Sequence, residues 1–296
     1  MTPFSNTEQG EEGRTVVAGT LYVVATPIGN LGDLTYRARA ILAQVNRVLA
    51  EDTRQTATLF AHYGIKARAE ALHEHNEAAR AEQIAARLLA GESAALVSDA
   101  GTPGISDPGA RLVAHLRALA VPIVPVPGPS AVATAMSVAG IDGPFLFLGF
   151  LPVKSGPRRA RLQEFGAVQA ALVIYEAPHR VIETVADLVA EFGGERQLLV
   201  ARELTKRFES ITAMPLRDAG AWFAADPNRL RGEFVLIVHA PTPVVPEDGA
   251  DLDRVLKVLL ATLSVKQAVS IAVELTGAKR NHLYARALEL RGDVQP

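Results

Sequence analysis

Short aliphatic runs recur along the chain, each ending in a polar or glycine-rich break. Residues 20–25 (TLYVVA), 47–50 (RVLA), 94–98 (AALVS) and 121–126 (VPIVPV) read as strands in the first half. Between them the apolar spacing widens to a helical period. Leu34, Ala38, Ile41, Leu42 and Val45 share one face, with Asp33 where an N-cap belongs. Helical patterns also cover 77–90, 111–120 and the stretch from the PGPSA turn to about Ala139. The rhythm restarts at 145–150 (FLFLGF), with further strands at 171–175, 198–202 and 233–239 and a helix near 178–192. Strands alternating with helices predict an α/β architecture. The later strands leave no room for full crossover helices, so the second sheet is expected to be mixed. Residues 251–262, 264–276 and 281–291 show helical spacing, with Ser264 as N-cap and Gly277 just past a helix end. The expected division is a flexible tail at 1–18, an N-terminal α/β domain at 19–127 and a C-terminal α/β domain at 128–240. A Pro-rich linker at 241–250 and a helical region at 251–296 complete it.

Composition narrows the chemistry. The 296 residues suit about two domains of ordinary size, and 49% hydrophobic content can fill their cores. With no cysteine, disulfides, thiolate catalysis and cysteine zinc sites are excluded. A net charge of -2 argues against a molecule that is cationic all over, while leaving room for a local basic patch. No apolar window reaches about 18 residues, so no membrane helix is expected. The N-terminus lacks a cationic start and an apolar signal core, and a cytoplasmic location is expected.

Three glycine/proline turns each follow a predicted strand: Thr26–Asp33, Asp99–Gly109 and Pro127–Ser130. In an open parallel sheet, ligands bind beyond the carboxyl ends of the strands. One such turn is usually plain structure; three on one edge favour a pocket. The first turn is Gly29-x-x-Gly32, not the dinucleotide fingerprint, and no glycine loop ends in Gly-Lys-Ser/Thr. Nicotinamide and ATP chemistry therefore lack support.

Five segments carry a resemblance. They are Ala25-Thr-Pro-Ile-Gly-Asn-Leu-Gly-Asp-Leu-Thr35, Ala50-Glu-Asp-Thr-Arg-Gln-Thr56, Ser98-Asp-Ala-Gly-Thr-Pro-Gly-Ile-Ser-Asp-Pro-Gly109, Pro127-Gly-Pro-Ser-Ala131 and Tyr175-Glu-Ala-Pro-His-Arg180. With the tail motif Leu275–Tyr284, they make residues 19 to 290 resemble the tetrapyrrole-methylase-like class of S-adenosylmethionine-dependent enzymes. Within that class the likeness is to the cytidine 2′-O-methyltransferases of small-subunit ribosomal RNA. The resemblance implies two α/β domains with the S-adenosyl-L-methionine cleft between them, a homodimer, and a decoding-site cytidine as target. It places Pro27 and Gly29 in a first cofactor loop. Asp99, Gly101, Thr102, Pro103 and Ile105 fall in the central one, and Ser130 and Ala131 at the domain junction. Tyr175, Glu176 and Glu233 match contacts from the second domain.

Methyl transfer to a ribose hydroxyl needs alignment and a proton acceptor. Glu51, Asp52 and Glu203 are the candidates, with Glu176 and His179 also at strand ends. Asp52 or Thr53 equally suits a helix cap, and Asp107 before Pro108 reads as an N-cap. His73 and His75 stand two apart with no third ligand motif, so no metal site is assigned and a solvated or substrate-facing loop is favoured. RNA contact needs cations. Lys154, Arg158, Arg159 and Arg161, read as a basic Pro/Gly loop, are the leading set; Lys206 follows in a second basic turn. The substrate is expected to be small-subunit RNA or the assembled subunit. Two alternatives stand beside this reading: a tetrapyrrole C-methyltransferase of the same fold, and a non-catalytic RNA- or ribosome-binding module. The Glu51–Thr56 segment, the basic 154–161 stretch and the helical tail weigh against the first.

Overall fold

The computed structural model describes residues 16–73, 76–241 and 249–292. His75, most of the expected tail and most of the expected linker lie outside the described residues. The described residues up to Pro241 form one compact unit and those of 249–292 another.

The first unit begins with β1 (Leu21–Val24), α1 (Tyr36–Gln44), β2 (Arg47–Ala50), α2 (Thr53–Tyr63), β3 (Ala69–Ala71), α3 (Glu77–Leu89), β4 (Ala94–Val97), α4 (Ala110–Ala118) and β5 (Ile123–Val126). These strands form a wholly parallel sheet in the order β3-β2-β4-β1-β5. Strand β4 is buried throughout, as a continuous apolar run covered on both faces should be. Ile41 and Leu42 of α1 and Phe60 of α2 pack on one face. Ile84 and Leu88 of α3 and Leu112 and Leu116 of α4 pack on the other. Because β1, β4 and β5 run parallel as neighbours, their carboxyl ends and the loops that follow share one edge.

A second, mixed sheet follows, as the sequence predicts. Its elements are α5 (Ala131–Val138), β6 (Phe145–Phe150), α6 (Ser155–Phe165), β7 (Ala171–Glu176), α7 (Val181–Phe192), β8 (Gln197–Arg202), β9 (Ser210–Pro215), α8 (Leu216–Ala224) and β10 (Phe234–Val238). The order is β6-β7-β10-β8-β9, with only β6–β7 parallel. Leu162, Val185, Leu188 and Phe223 from α6, α7 and α8 cover one face. The other face packs Val173, Ala201 and Val235 against Val132 and Ala135 of α5 and against Ile28. Ile28 belongs to the loop after β1, so it ties the first sheet's functional edge to the second sheet.

Three local expectations are corrected. Helix α1 is capped by Thr35, whose Oγ1 accepts from Ala38 N at 3.1 Å, while Asp33 closes a short 3-10 turn at Leu31–Asp33. Asp107 does not cap α4, which starts after Gly109. There φ is +129° and a Cβ would sit 2.6 Å from Leu96 Cδ2, so glycine is the residue that fits. Residues 155–165 are a helix, not a loop.

The second compact unit is α9 (Gly249–Leu260), α10 (Val265–Thr276) and α11 (Arg280–Gly292), around Leu256, Val269, Leu283 and Ala287. Ser264 opens α10, and Gln267 Oε1 accepts from its N and Oγ at 3.3 and 2.7 Å. Gly277, at φ +69°, closes the helix in the left-handed region. Among the described residues no helix is long and apolar enough to cross a membrane.

Candidate active site

The three glycine/proline loops meet at one edge and are stitched together there. Thr26 and Gly101 exchange backbone hydrogen bonds of 2.9 and 3.0 Å. Thr26 Oγ1 donates to Ser98 O at 3.1 Å, and Thr102 Oγ1 donates to Pro129 O at 3.1 Å. The loops face the second sheet across a cavity of about 360 Å³. Gly101, Thr102, Ile105, Ser130 and Ala131 line it from the first-lobe loops and α5. Tyr175, Glu176, Leu204, Glu233 and Val235 line it from the second sheet. That volume lies in the usual range for a small-molecule site. A flanking cavity of about 410 Å³ is lined by Pro27, Gly29, Gln55, Thr56 and Asp99. The two share Ile28, Ala100, Lys206 and Glu233. Of the expected cofactor contacts only Pro103 lines neither cavity.

Tyr175 is half wall and half core, its ring edge-on to Phe147 and Phe150 at 4.8 and 5.7 Å. Burial, with the charge of Asp107, raises its phenol above the ordinary value. Glu176 is buried beneath the cavity floor. It accepts from Thr184 Oγ1 at 2.6 Å and from Ala177 N at 2.8 Å, and Arg180 Nε lies 3.2 Å away. Its carboxylate is thus occupied within the protein, and it shapes the 175–180 turn.

The carboxylates separate into two groups. Asp52 caps α2, accepting from Arg54 N at 2.8 Å, and also pairs with the Arg54 guanidinium. Those hydrogen bonds pull it down to about 2, too weak a base for a hydroxyl proton. Glu203 holds Lys206 Nζ at 2.8 Å and accepts from Glu233 N at 3.0 Å. Burial alone would raise it, but these partners outweigh burial and lower it. Glu203 lines neither cavity. Both residues therefore fit structural roles better than the proton-accepting one expected. Glu51 and Asp107 go the other way: burial first, then the charge of Asp99, raises each above the usual carboxylate range. Asp107 lines the cavity between the first-lobe loops and the second sheet, so the residue expected to cap a helix faces that cavity instead.

The basic set also divides. Arg158 is buried: its Nε donates to Asp187 Oδ2 at 2.6 Å and its Nη1 to Val153 O at 3.1 Å. A guanidinium so enclosed does not reach an RNA phosphate, and this expectation is overturned. Arg159 pairs with Glu191 at 2.5 Å. Arg161 pairs with Glu164 and lies over the Phe165 ring. Lys154, at the start of α6, is exposed and has no acidic partner among the described residues. Lys206 alone of the set reaches the cavities.

Several lining residues escape sequence reasoning: Ile28, Ser106, Phe150, Leu204 and Val235. Ser106 lies inside the long central motif, which gave the available signal. Leu204 follows a strand and Val235 lies within one, each an ordinary apolar residue in the sequence, and only the folded sheet brings them to the loops.

A family model for tetrapyrrole (corrin/porphyrin) methylases matches residues 20–220, more than half of the chain. The chain belongs to that family. A second model, an RsmI C-terminal HTH domain, matches residues 246–291 of this methylase-family chain. The chain is 48% identical over 278 residues to the ribosomal RNA small subunit methyltransferase I of Pseudomonas aeruginosa, covering 93% of this chain and 99% of that one. The protein of the same name from Vibrio cholerae is 45% identical over 289 residues, with 95% and 99% coverage. A solved uroporphyrin-III C-methyltransferase from Thermus thermophilus, complexed with S-adenosyl homocysteine, matches with a TM-score of 0.53 at 18% identity. It covers 74% of this chain and 97% of that one, and the likeness is one of fold.

Proposed function

We propose that this chain transfers a methyl group from S-adenosylmethionine to the ribose 2′-hydroxyl of a cytidine in the decoding region of small-subunit ribosomal RNA. The observation that carries this reading is the near-full-length match to ribosomal RNA small subunit methyltransferases I, on a chain whose three loops and second sheet enclose one cavity. The assembled subunit as substrate and a homodimer as the working form belong to the same reading.

The cavity suits the donor. Ile28, Ala131, Leu204 and Val235 give an apolar wall for a flat base, and Gly101, at φ +84° and without a side chain, lets the central loop lie close to that wall. Asp107 and Glu233 supply negative charge for a cation. The bound donor supplies an electrophilic methyl, which passes to oxygen as the sulfur–carbon bond breaks and the oxygen–carbon bond forms. The protein's part is positioning, which is worth up to about 7–11 kcal/mol in favourable systems. Thr102 holds the central loop to the Pro129 carbonyl. Asp99 fixes the start of α2 by accepting from Asp52 N at 2.9 Å and from Gln55 Nε2 at 3.2 Å. Asp107 takes the hydroxyl proton, its proton affinity raised by burial and by the charge of Asp99.

The test is calorimetric titration of the full chain with S-adenosylmethionine, followed by labelled-methyl transfer to isolated small subunits and mass-spectrometric mapping of the product. Donor binding and one new ribose methyl on a cytidine are expected. No binding would favour the non-catalytic module, and a methyl on a base or on another RNA would overturn the assignment.

A further inference from the structure

Lys206 stands in the wall shared by the two cavities, and no other Lys or Arg lines either. Carboxylates stand in the same walls: Asp99, Asp107 and Glu233. A phosphate approaching this site is repelled by those carboxylates and attracted by this ammonium.

The side chain is held at three points. Its ammonium sits 2.8 Å from Glu203 Oε1 and 2.7 Å from Glu233 Oε2. Its stem lies on Gly29, where an added Cβ would stand 2.5 Å from Lys206 Cγ. The turn that presents it places Glu203 and Thr205 at φ +53° and +65°, a left-handed backbone that costs non-glycine residues energy. The two acidic partners differ. The Glu203 side chain is 18% exposed and also accepts from Glu233 N, whereas the Glu233 side chain is 76% exposed. Glu203 is the fixed anchor. The Glu233 arm is solvent-screened and exchangeable at little cost.

We propose that Lys206 is a positioning latch opened by the acceptor strand: its ammonium leaves Glu233 for a backbone phosphate beside the target ribose, keeps Glu203, and opens the wall between the cavities. This rests on the RNA methyl-transfer reading for the identity of the acceptor. The latch makes opening towards the donor cavity conditional on a phosphate-bearing partner, and it makes Glu203 a positioning residue that acts through Lys206.

The experiment compares wild type with Lys206→Met, Lys206→Gln and Lys206→Arg in the full chain. Equilibrium binding to isolated small subunits is measured across a potassium chloride series, with KM and kcat of transfer and the donor affinity measured alongside. Both neutral variants are expected to lower the slope of log affinity against log salt by about 0.7–0.9, the loss of one phosphate contact. KM for the subunit is expected to rise about tenfold with kcat changing less, while donor affinity stays within about twofold. Lys206→Arg restores the slope. A merely structural Lys206 would leave the salt slope unmoved, and an unchanged slope in both neutral variants overturns the proposal. If wild type binds subunits yet transfers no methyl, the methyltransferase reading fails and the slope still decides the latch.

Discussion

Replacing Arg158 by alanine separates a structural ion from an RNA contact. Its side chain is 1% exposed, paired with Asp187 at 2.6 Å, and its Nη2 lies 3.6 Å from Glu183 Oε2. Asp187, 12% exposed, keeps only the Ser155 hydroxyl at 2.8 Å once the guanidinium is gone. Removing one partner of a buried pair costs about 3–5 kcal/mol, because the other charge stays buried. The Ser155 bond and the slight exposure of Asp187 place this case at the lower end, about 3 kcal/mol. For a unit of this size each kcal/mol shifts the melting temperature by about 2–4 °C, so a fall of about 6–12 °C is expected. Thermal unfolding of the full chain by circular dichroism measures it, with small-subunit binding assayed well below the transition. Changing Arg158→Leu and Asp187→Leu together removes both charges and should recover most of the loss. Arg161→Ala, whose pair with Glu164 is exposed on both sides, is the comparison with little effect on melting. A melting temperature within about 1 °C of wild type, combined with weakened RNA binding, would refute the structural role.

Three further outcomes follow from the same geometry. Thr102→Trp drives an indole into the cavity between the loops and the second sheet and removes the bond to Pro129 O, so donor affinity by calorimetry should fall at least about tenfold; unchanged affinity would put the donor elsewhere. Asp107 works as a base only when ionised, and burial raises its pKa, so transfer should rise with pH along a limb above the ordinary carboxylate range. Asp107→Asn should lower kcat and remove that limb, and a variant that keeps both excludes Asp107 as the acceptor. Ser264→Ala removes the cap of α10 at a cost of about 1 kcal/mol, visible as faster amide exchange in its first turns; unaltered protection would show the cap to be idle.

The parallel half of the fold was legible chiefly through β1 and β4, short apolar runs that are largely buried and followed by glycine-bearing turns. The elements the sequence missed lack that contrast. Strand β3 is three residues, Ala-Glu-Ala, at a sheet edge, and its Glu70 is held by Arg47, Arg80 and Arg87 rather than by packing. Strand β9 alternates on a half-exposed edge and ends in a proline that leads directly into α8. Helix α6 begins Ser-Gly-Pro-Arg-Arg, a composition that reads as a loop, and becomes helical because Leu162 and the Arg158 pair bury against α7.

The site was legible to the extent that its chemistry lies in contiguous loops. Thr102 and Ile105 share one loop and Ser130 and Ala131 another, and a parallel sheet sends both loops to one edge by topology alone. Charge roles were not legible, because they depend on pairing and burial that the folded chain sets, often with a partner far along the sequence. Arg158 and Lys206 look alike as cations in basic stretches. One is neutralised by Asp187, 29 residues away, and buried. The other is held by Glu233, 27 residues away, at an open rim. Asp52 and Asp107 divide in the same manner: a neighbouring arginine keeps the first ionised, and burial among other carboxylates makes the second the stronger base. Which cation can meet a phosphate, and which carboxylate can take a proton, is therefore set by pairing and burial in the folded chain. Substituting the partner acids should alter these roles as surely as substituting the cations themselves.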